Sequence, residues 1–125
     1  SAASDVYKRQ HYASPESVIQ NSLISEGCNI EGHIDFSVLF AGVTIEPGAV
    51  VRDSIIMPNT TIKKGAVVEY AIVGEDCVIG ENVKVGARPE SIEDKDTWGV
   101  AVIGHGVTVS DNAEIKPKAM ISADV

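Results

Sequence analysis

Bulky aliphatic residues recur in this chain at intervals of six, six and five, and that rhythm excludes most folds before anything else is considered. Leu39, Ile45, Val51, Ile56, Ile62, Val68, Val73, Ile79 and Val85 are separated by steps of 6, 6, 5, 6, 6, 5, 6 and 6, a hexad with a 17-residue super-repeat. The register reaches back to Ile24 and Ile30 and, after an interruption, resumes at Ile103, Val109, Ile115 and Ile121. An amphipathic helix needs apolar residues about every 3.6 positions and a half-buried strand every second one, so neither accounts for these steps. A short fixed period is instead the signature of a stacked array, in which no single repeat can bury its own apolar face.

The other hexad positions agree. Three residues after the aliphatic positions stand Gly27, Gly42, Gly48, Asn59, Gly65, Asp76, Asn82, Gly106 and Asn112, the residue types that adopt positive φ at least steric cost. One position further on are mostly small side chains, among them Cys28, Ala49, Thr60, Ala66, Cys77 and Ala113. Charged residues such as Glu31, Glu46, Arg52, Lys63 and Glu69 take outward positions. Each hexad therefore reads as a short strand closed by a tight corner. Three hexads make one turn of a triangular prism, with about 4.8 Å between turns. The expected fold is all-β: a single-stranded parallel β-helix of about five turns, at residues 24–38, 39–55, 56–72, 73–90 and 103 onward.

Composition supports an ordered array and narrows its partners. Of the 125 residues, 44% are hydrophobic and 22% charged, enough apolar side chain for one sizeable core. Eighteen acidic against 10 basic residues give a formal charge of −8, and no Lys/Arg cluster is long enough to follow a phosphate backbone, which argues against a nucleic-acid partner. No apolar run approaches the roughly 18 residues of a membrane span, so a soluble, cytoplasmic protein without a membrane partner is expected.

Three segments depart from the hexad. Residues 1–10, SAASDVYKRQ, read as an unstructured or non-native leader. Residues 11–22 read as a linker, with Pro15 discouraging a helical start. Residues 86–101, GARPESIEDKDTWGVA, read as a loop excursion from one corner that Trp98 could pin to a prism face. Its acidic residues lack the interleaved Asn and Gly of a calcium loop and are expected to be solvated.

Histidines and cysteines are the usual carriers of chemistry on such a scaffold. His33 and His105 fall in the first and fifth expected turns, roughly 19 Å apart at about 4.8 Å per turn, too far to share a metal within one chain. His11 lies outside the prism. Cys28 and Cys77 occupy equivalent corners three turns apart, roughly 14 Å, which is beyond disulfide reach and makes them buried free thiols. No catalytic, cofactor or metal residue is assigned.

The ordered series Asn21-Ser22-Leu23-Ile24, Ser37-Val38-Leu39-Phe40, Asp53-Ser54-Ile55-Ile56-Met57-Pro58 and Ala71-Ile72-Val73-Gly74 resembles the C-terminal β-helix of bacterial glucose-1-phosphate adenylyltransferases. The likeness is strong over residues 11–85 and looser beyond. It implies a left-handed winding, although the general preference for right-handed crossovers points the other way. It implies a parent enzyme that converts ATP and glucose 1-phosphate to ADP-glucose and pyrophosphate with Mg2+, in bacterial glycogen synthesis. Its chemistry resides in an N-terminal nucleotidyltransferase domain whose Gly-rich loop this chain lacks. The resemblance also implies that the β-helix packs on that domain, joins subunits into tetramers and helps form an effector pocket. Arg52, Lys63 and Lys64 are the cationic side chains nearest to what such a pocket needs for anion contact.

Two functional readings follow. As a fragment, the chain is an inactive oligomerisation and regulatory module with an apolar face left bare where a missing domain would sit. As a stand-alone acyltransferase working as a trimer, it needs His33 or His105 beside a cleft between chains.

Overall fold

A computed structural model describes residues 11–125; the expected leader, residues 1–10, lies outside the described residues. The described residues wind through six coils, and their eighteen strands of two or three residues stack into three parallel six-stranded sheets. Face A stacks Tyr12–Ala13, Asn29–Ile30, Thr44–Ile45, Thr61–Ile62, Val78–Ile79 and Thr108–Val109. Face B stacks Val18–Gln20, His33–Asp35, Val50–Arg52, Val67–Glu69, Lys84–Val85 and Glu114–Ile115. Face C stacks Leu23–Ile24, Val38–Leu39, Ile55–Ile56, Ala71–Val73, Ala101–Ile103 and Met120–Ile121.

The hexad aliphatics are the inward residues of these faces. Ile30, Ile45, Ile62, Ile79 and Val109 pair in line on face A. Ile34, Val51, Val68, Val85 and Ile115 do so on face B. Leu39, Ile56, Val73 and Ile103 form the third column, and most of these side chains are fully buried. All nine corner residues singled out in the sequence have positive φ, from 56° at Asp76 to 77° at Gly48.

Three expectations are corrected. Residues 11–22 are not a linker: Tyr12–Ala13 pairs with Asn29–Ile30 and Val18–Gln20 with His33–Asp35, forming a first coil and raising the count from five to six. Ile34 is a fully buried core residue outside the six-residue rhythm. The A-to-B corner of the second coil is two residues shorter than its neighbours, so Ile34 follows Ile30 after four positions.

The five-residue steps have their own corner. From face B to face C the positive φ falls two residues after the aliphatic, at Asn21, Phe36, Asp53 and Tyr70, with φ of 48–50°. Behind it runs a hydroxyl ladder. Ser37 N–H donates to Ser22 Oγ at 3.0 Å, Ser54 N–H to Ser37 Oγ at 3.1 Å, and Ala71 N–H to Ser54 Oγ at 3.2 Å. Each serine hydroxyl in turn donates to the carbonyl two residues earlier. The ladder satisfies buried backbone groups that a five-residue corner leaves without a strand partner.

Cys28 and Cys77 are free and buried in one corner column, three coils apart. Their Sγ atoms donate to Phe40 O at 3.1 Å and Gly104 O at 3.0 Å. Burial pushes both thiols above the ordinary cysteine range, which disfavours the reactive thiolate. Under native conditions both are expected to resist a thiol-specific chromogenic reagent and to titrate together once urea unfolds the chain. Rapid native labelling of either would contradict this packing.

Candidate functional site

The structure places the three sequence-selected cations at opposite edges of face B. Arg52 ends its strand at the B-to-C corner, whereas Lys63 and Lys64 occupy the A-to-B corner of the following coil. They form no shared site. Arg52 lies 3.5 Å from Glu69, whose carboxylate also accepts from Arg88 Nε at 3.0 Å. At the other edge, Lys64 N–H donates to Glu46 Oε1 at 3.1 Å. Arg88, which the sequence reading did not select, stands at the root of the loop beside Asp35, Asp53, Tyr70 and Glu90. This depression carries more acid than base. The Asp53 carboxyl is pushed above its usual range, first by burial and then by Asp35, with Arg88 opposing.

Because the raised carboxyl weakens the fold once it ionises, its contribution is present below the ordinary carboxylate range and lost as pH rises through the folded pKa. Asp53→Asn should therefore stabilise the chain at neutral pH by a few tenths of a kcal/mol, the scale of partly exposed charges. Asparagine also tolerates the positive φ. Thermal melts at pH 7 and below pH 4 check this: the gain should shrink in acid.

The loop is held from within. Trp98 Nε1–H donates to Ala87 O at 2.7 Å, and its ring meets Tyr70 edge-to-face with centroids 5.5 Å apart. Trp98 thus pins the loop neck to the B-to-C corner. Lys95 Nζ donates to the carbonyls of Pro89 and Ile92, and Lys118 Nζ to Asp96 O at 3.0 Å. Among the described residues, no group of three His, Cys, Asp or Glu side chains is arranged to hold a metal. His33 is half-buried on face B in the second coil, and His105 is exposed at the corner after the fifth. The strand column of His33 runs through Val50, Val67 and Lys84 to Glu114, and His105 falls between the last two, so between three and four coil intervals, roughly 14 to 19 Å, separate the histidines along the axis.

Face C is the outlying surface. Its outward residues, Leu23, Val38, Ile55, Ile72, Val102 and Met120, pair one above the other and are all apolar. Leu23 is 72% exposed and Met120 81%. Face A shows Tyr12, Asn29, Thr44, Thr61, Val78 and Thr108 outward, and face B intersperses Val18, Val50 and Val67 with His33, Asp35, Arg52, Glu69, Lys84 and Glu114, so face C alone of the three is apolar at every outward position. A shallow trough of about 380 Å³ runs along this column, lined by Val38, Ile55 and Ile72 together with Phe36, Asp53, Ser54, Ala71 and Val100. The bare apolar face expected of a fragment is present. Its signal in the sequence is the doubled aliphatic, Leu23-Ile24, Val38-Leu39, Ile55-Ile56 and Ile72-Val73, within the same motifs that carry the family resemblance.

Three stacked parallel sheets with hexad corners define a hexapeptide-repeat protein, and comparison with known proteins places it further. The model of the GlmU-like, C-terminal hexapeptide family matches residues 6–110, and the chain belongs to that family. Its winding is accordingly the left-handed one of hexapeptide-repeat β-helices. The chain is 33% identical over 120 residues to a glucose-1-phosphate adenylyltransferase of Acetivibrio thermocellus, covering 91% of this chain and 28% of that protein. It is 46% identical over 95 residues to the enzyme of the same name from Bacillus thuringiensis strain Al Hakam, covering 76% and 24%. The chain thus spans about a quarter of the length of these relatives. The acetyltransferase domain of PglB from Neisseria gonorrhoeae, in complex with acetyl coenzyme A, shares the fold with a TM-score of 0.71 at 21% identity, covering 92% of this chain and 55% of that one. No helix among the described residues is long and apolar enough to cross a membrane.

Proposed function

We propose that this chain is the C-terminal oligomerisation and regulatory module of a cytoplasmic glucose-1-phosphate adenylyltransferase. The observation that carries the reading is the ordered motif series at successive B-to-C corners, within a match that spans most of this chain but only 28% of the Acetivibrio relative. In this reading, ATP, glucose 1-phosphate and Mg2+ are handled by the nucleotidyltransferase domain outside the chain. The β-helix supplies a rigid wall that positions that domain and joins subunits. A prism suits this role because each coil is fixed by the coils above and below it, so a surface borne on several coils holds its shape.

The acyltransferase reading takes support from the acetyltransferase neighbour, a likeness of fold alone. A chimera separates the two. Residues 11–125 would replace the matching quarter of the Bacillus thuringiensis enzyme, and ADP-glucose formation would be assayed beside acetyl coenzyme A turnover by the free chain. An active chimera and an inert chain are expected. Acetyl coenzyme A turnover by the chain alone, lost in His33→Ala or His105→Ala, would overturn the reading.

A further inference from the structure

We propose that the edge between faces A and B carries a slot that receives the planar guanidinium group of an arginine side chain presented by a partner polypeptide. This edge lies across the prism from face C, so the slot is separate from the apolar surface left bare for a missing domain. Its chemistry is independent of the reaction that domain carries out.

The short corner of the second coil builds the slot. The first and third coils turn from face A to face B over four residues, 14–17 and 46–49, whereas the second does so over two, Glu31 and Gly32. Gly32 permits the short cut: a Cβ there would stand 2.4 Å from Ala49 O and 2.9 Å from Ile45 Cγ2, so glycine alone lets the corner draw in against the core. With the middle corner withdrawn, the flanking corners stand two intervals apart, about 9.6 Å, and leave a gap one coil high. That gap is a depression of about 370 Å³ lined by Tyr12, Ser14, Pro15, Glu16, Glu31 and Pro47. The Ser14 carbonyl accepts from Ser17 N–H at 3.0 Å and from Ser17 Oγ–H at 2.6 Å, so the upstream wall supports itself and the slot is formed before a ligand arrives.

Shape and charge together select the occupant. A flat group seated midway has about 4.8 Å to the backbone of the corner on either side, close to the roughly 3.5–4.0 Å at which heavy atoms pack best, which suits a plane. Pro15 and Pro47 contribute stiff apolar surface, and Tyr12, 56% exposed, offers an aromatic ring to a cation. Glu16 is exposed and Glu31 half-buried, and among the described residues neither has a cationic partner within salt-bridge distance. Carboxylates beside a flat apolar slot match guanidinium, which bonds carboxylate through two parallel N–H groups and stacks on aromatic faces; a lysine ammonium is a compact, strongly hydrated charge with no plane to stack. Free arginine brings an α-carboxylate that Glu16 and Glu31 repel. A side chain within a polypeptide carries no such charge, and the formal charge of −8 on this chain attracts a basic segment.

Titration of the nitrogen-15-labelled chain with the capped peptide acetyl-Gly-Arg-Gly-amide, followed by amide shifts, tests the proposal. Saturating shifts at Glu16, Glu31, Gly32 and His33 are expected, with a Kd of about 1 mM at low salt that weakens as salt is added. The lysine counterpart and free arginine should each bind about 5-fold more weakly. Glu16→Gln combined with Glu31→Gln should weaken binding by about 10-fold or more. Grafting the four-residue corner of the third coil, Glu46 to Ala49, in place of Glu31 and Gly32 keeps a glutamate while filling the gap; it should abolish binding, with circular dichroism showing both variants folded. No saturation by about 10 mM, equal binding of the lysine peptide, or binding unchanged by the glutamine pair or by the graft would overturn the proposal. Equal binding of free arginine would overturn the polypeptide source. Binding that tightens in Lys8→Ala combined with Arg9→Ala would show the slot to be filled from within the chain and overturn it as a site for a partner.

Discussion

Gly86→Ala is expected to destabilise the chain by about 3–5 kcal/mol, whereas Gly106→Ala should cost about 1 kcal/mol. Both glycines have positive φ, 71° and 68°, so the backbone penalty is shared and the difference isolates close approach. A Cβ at Gly86 would stand 2.0 Å from the carbonyl oxygen of Glu69; one at Gly106 would meet nothing within 4 Å. The Glu69 carbonyl cannot retreat without disturbing the Val68–Val85 pairing that continues face B. Gly86 is also the residue at which the chain leaves the fifth coil for the loop, and its N–H donates to Ile115 O at 2.8 Å. Urea unfolding of the two variants measures the contrast. Equal losses would mean that the coil relaxes around the added methyl and that the loop root is not the tight passage described.

The second large effect lies in the core. Ile62 is fully buried midway along the face A column, between Ile45 and Ile79. Its truncation to alanine should cost about 3–4 kcal/mol, in the upper part of the usual range for deleting a buried aliphatic. The ladders above and below hold neighbouring coils at strand spacing, so the cavity cannot collapse. Ile72→Ala, on the outward side of face C, should cost about 1 kcal/mol or less. Equal denaturant midpoints for the two variants would show that the inward and outward assignments do not govern stability.

Much of this architecture is legible in the sequence because a stacked prism repeats its chemistry. Ile45, Ile62 and Ile79 recur since each must fill the same slot one coil on, and Gly48, Gly65 and Asn82 recur since each must turn the same corner. What escaped the hexad count has local causes. The first coil is hidden because Ala13 takes a position filled by isoleucine in the next four coils. Ile34 is hidden by the shortened corner at Glu31-Gly32. Phe36 and Tyr70 are aromatic, so nothing in their type announces a positive φ; only their place before Ser37 and Ala71, in line with Asp53-Ser54, does. Face C is visible in the doubled aliphatics Leu23-Ile24, Val38-Leu39, Ile55-Ile56 and Ile72-Val73, whose first members add nothing to the six-residue period and so carry no signal in the hexad count. Arg88 belongs to the loop, where no periodicity exists to place a side chain, and the partnership of Arg52 with Glu69 depends on strand pairing that spacing alone does not reveal.

In the proposed reading, the chain is part of an ADP-glucose-forming enzyme whose chemistry lies elsewhere in the polypeptide. The most direct measurement extends the reading frame upstream and assays the longer product for pyrophosphate release from ATP and glucose 1-phosphate, beside residues 1–125. Release by the long form and none by the short one is the result this account predicts. A longer product inert toward both substrates, or one that encodes no further domain, would contradict it.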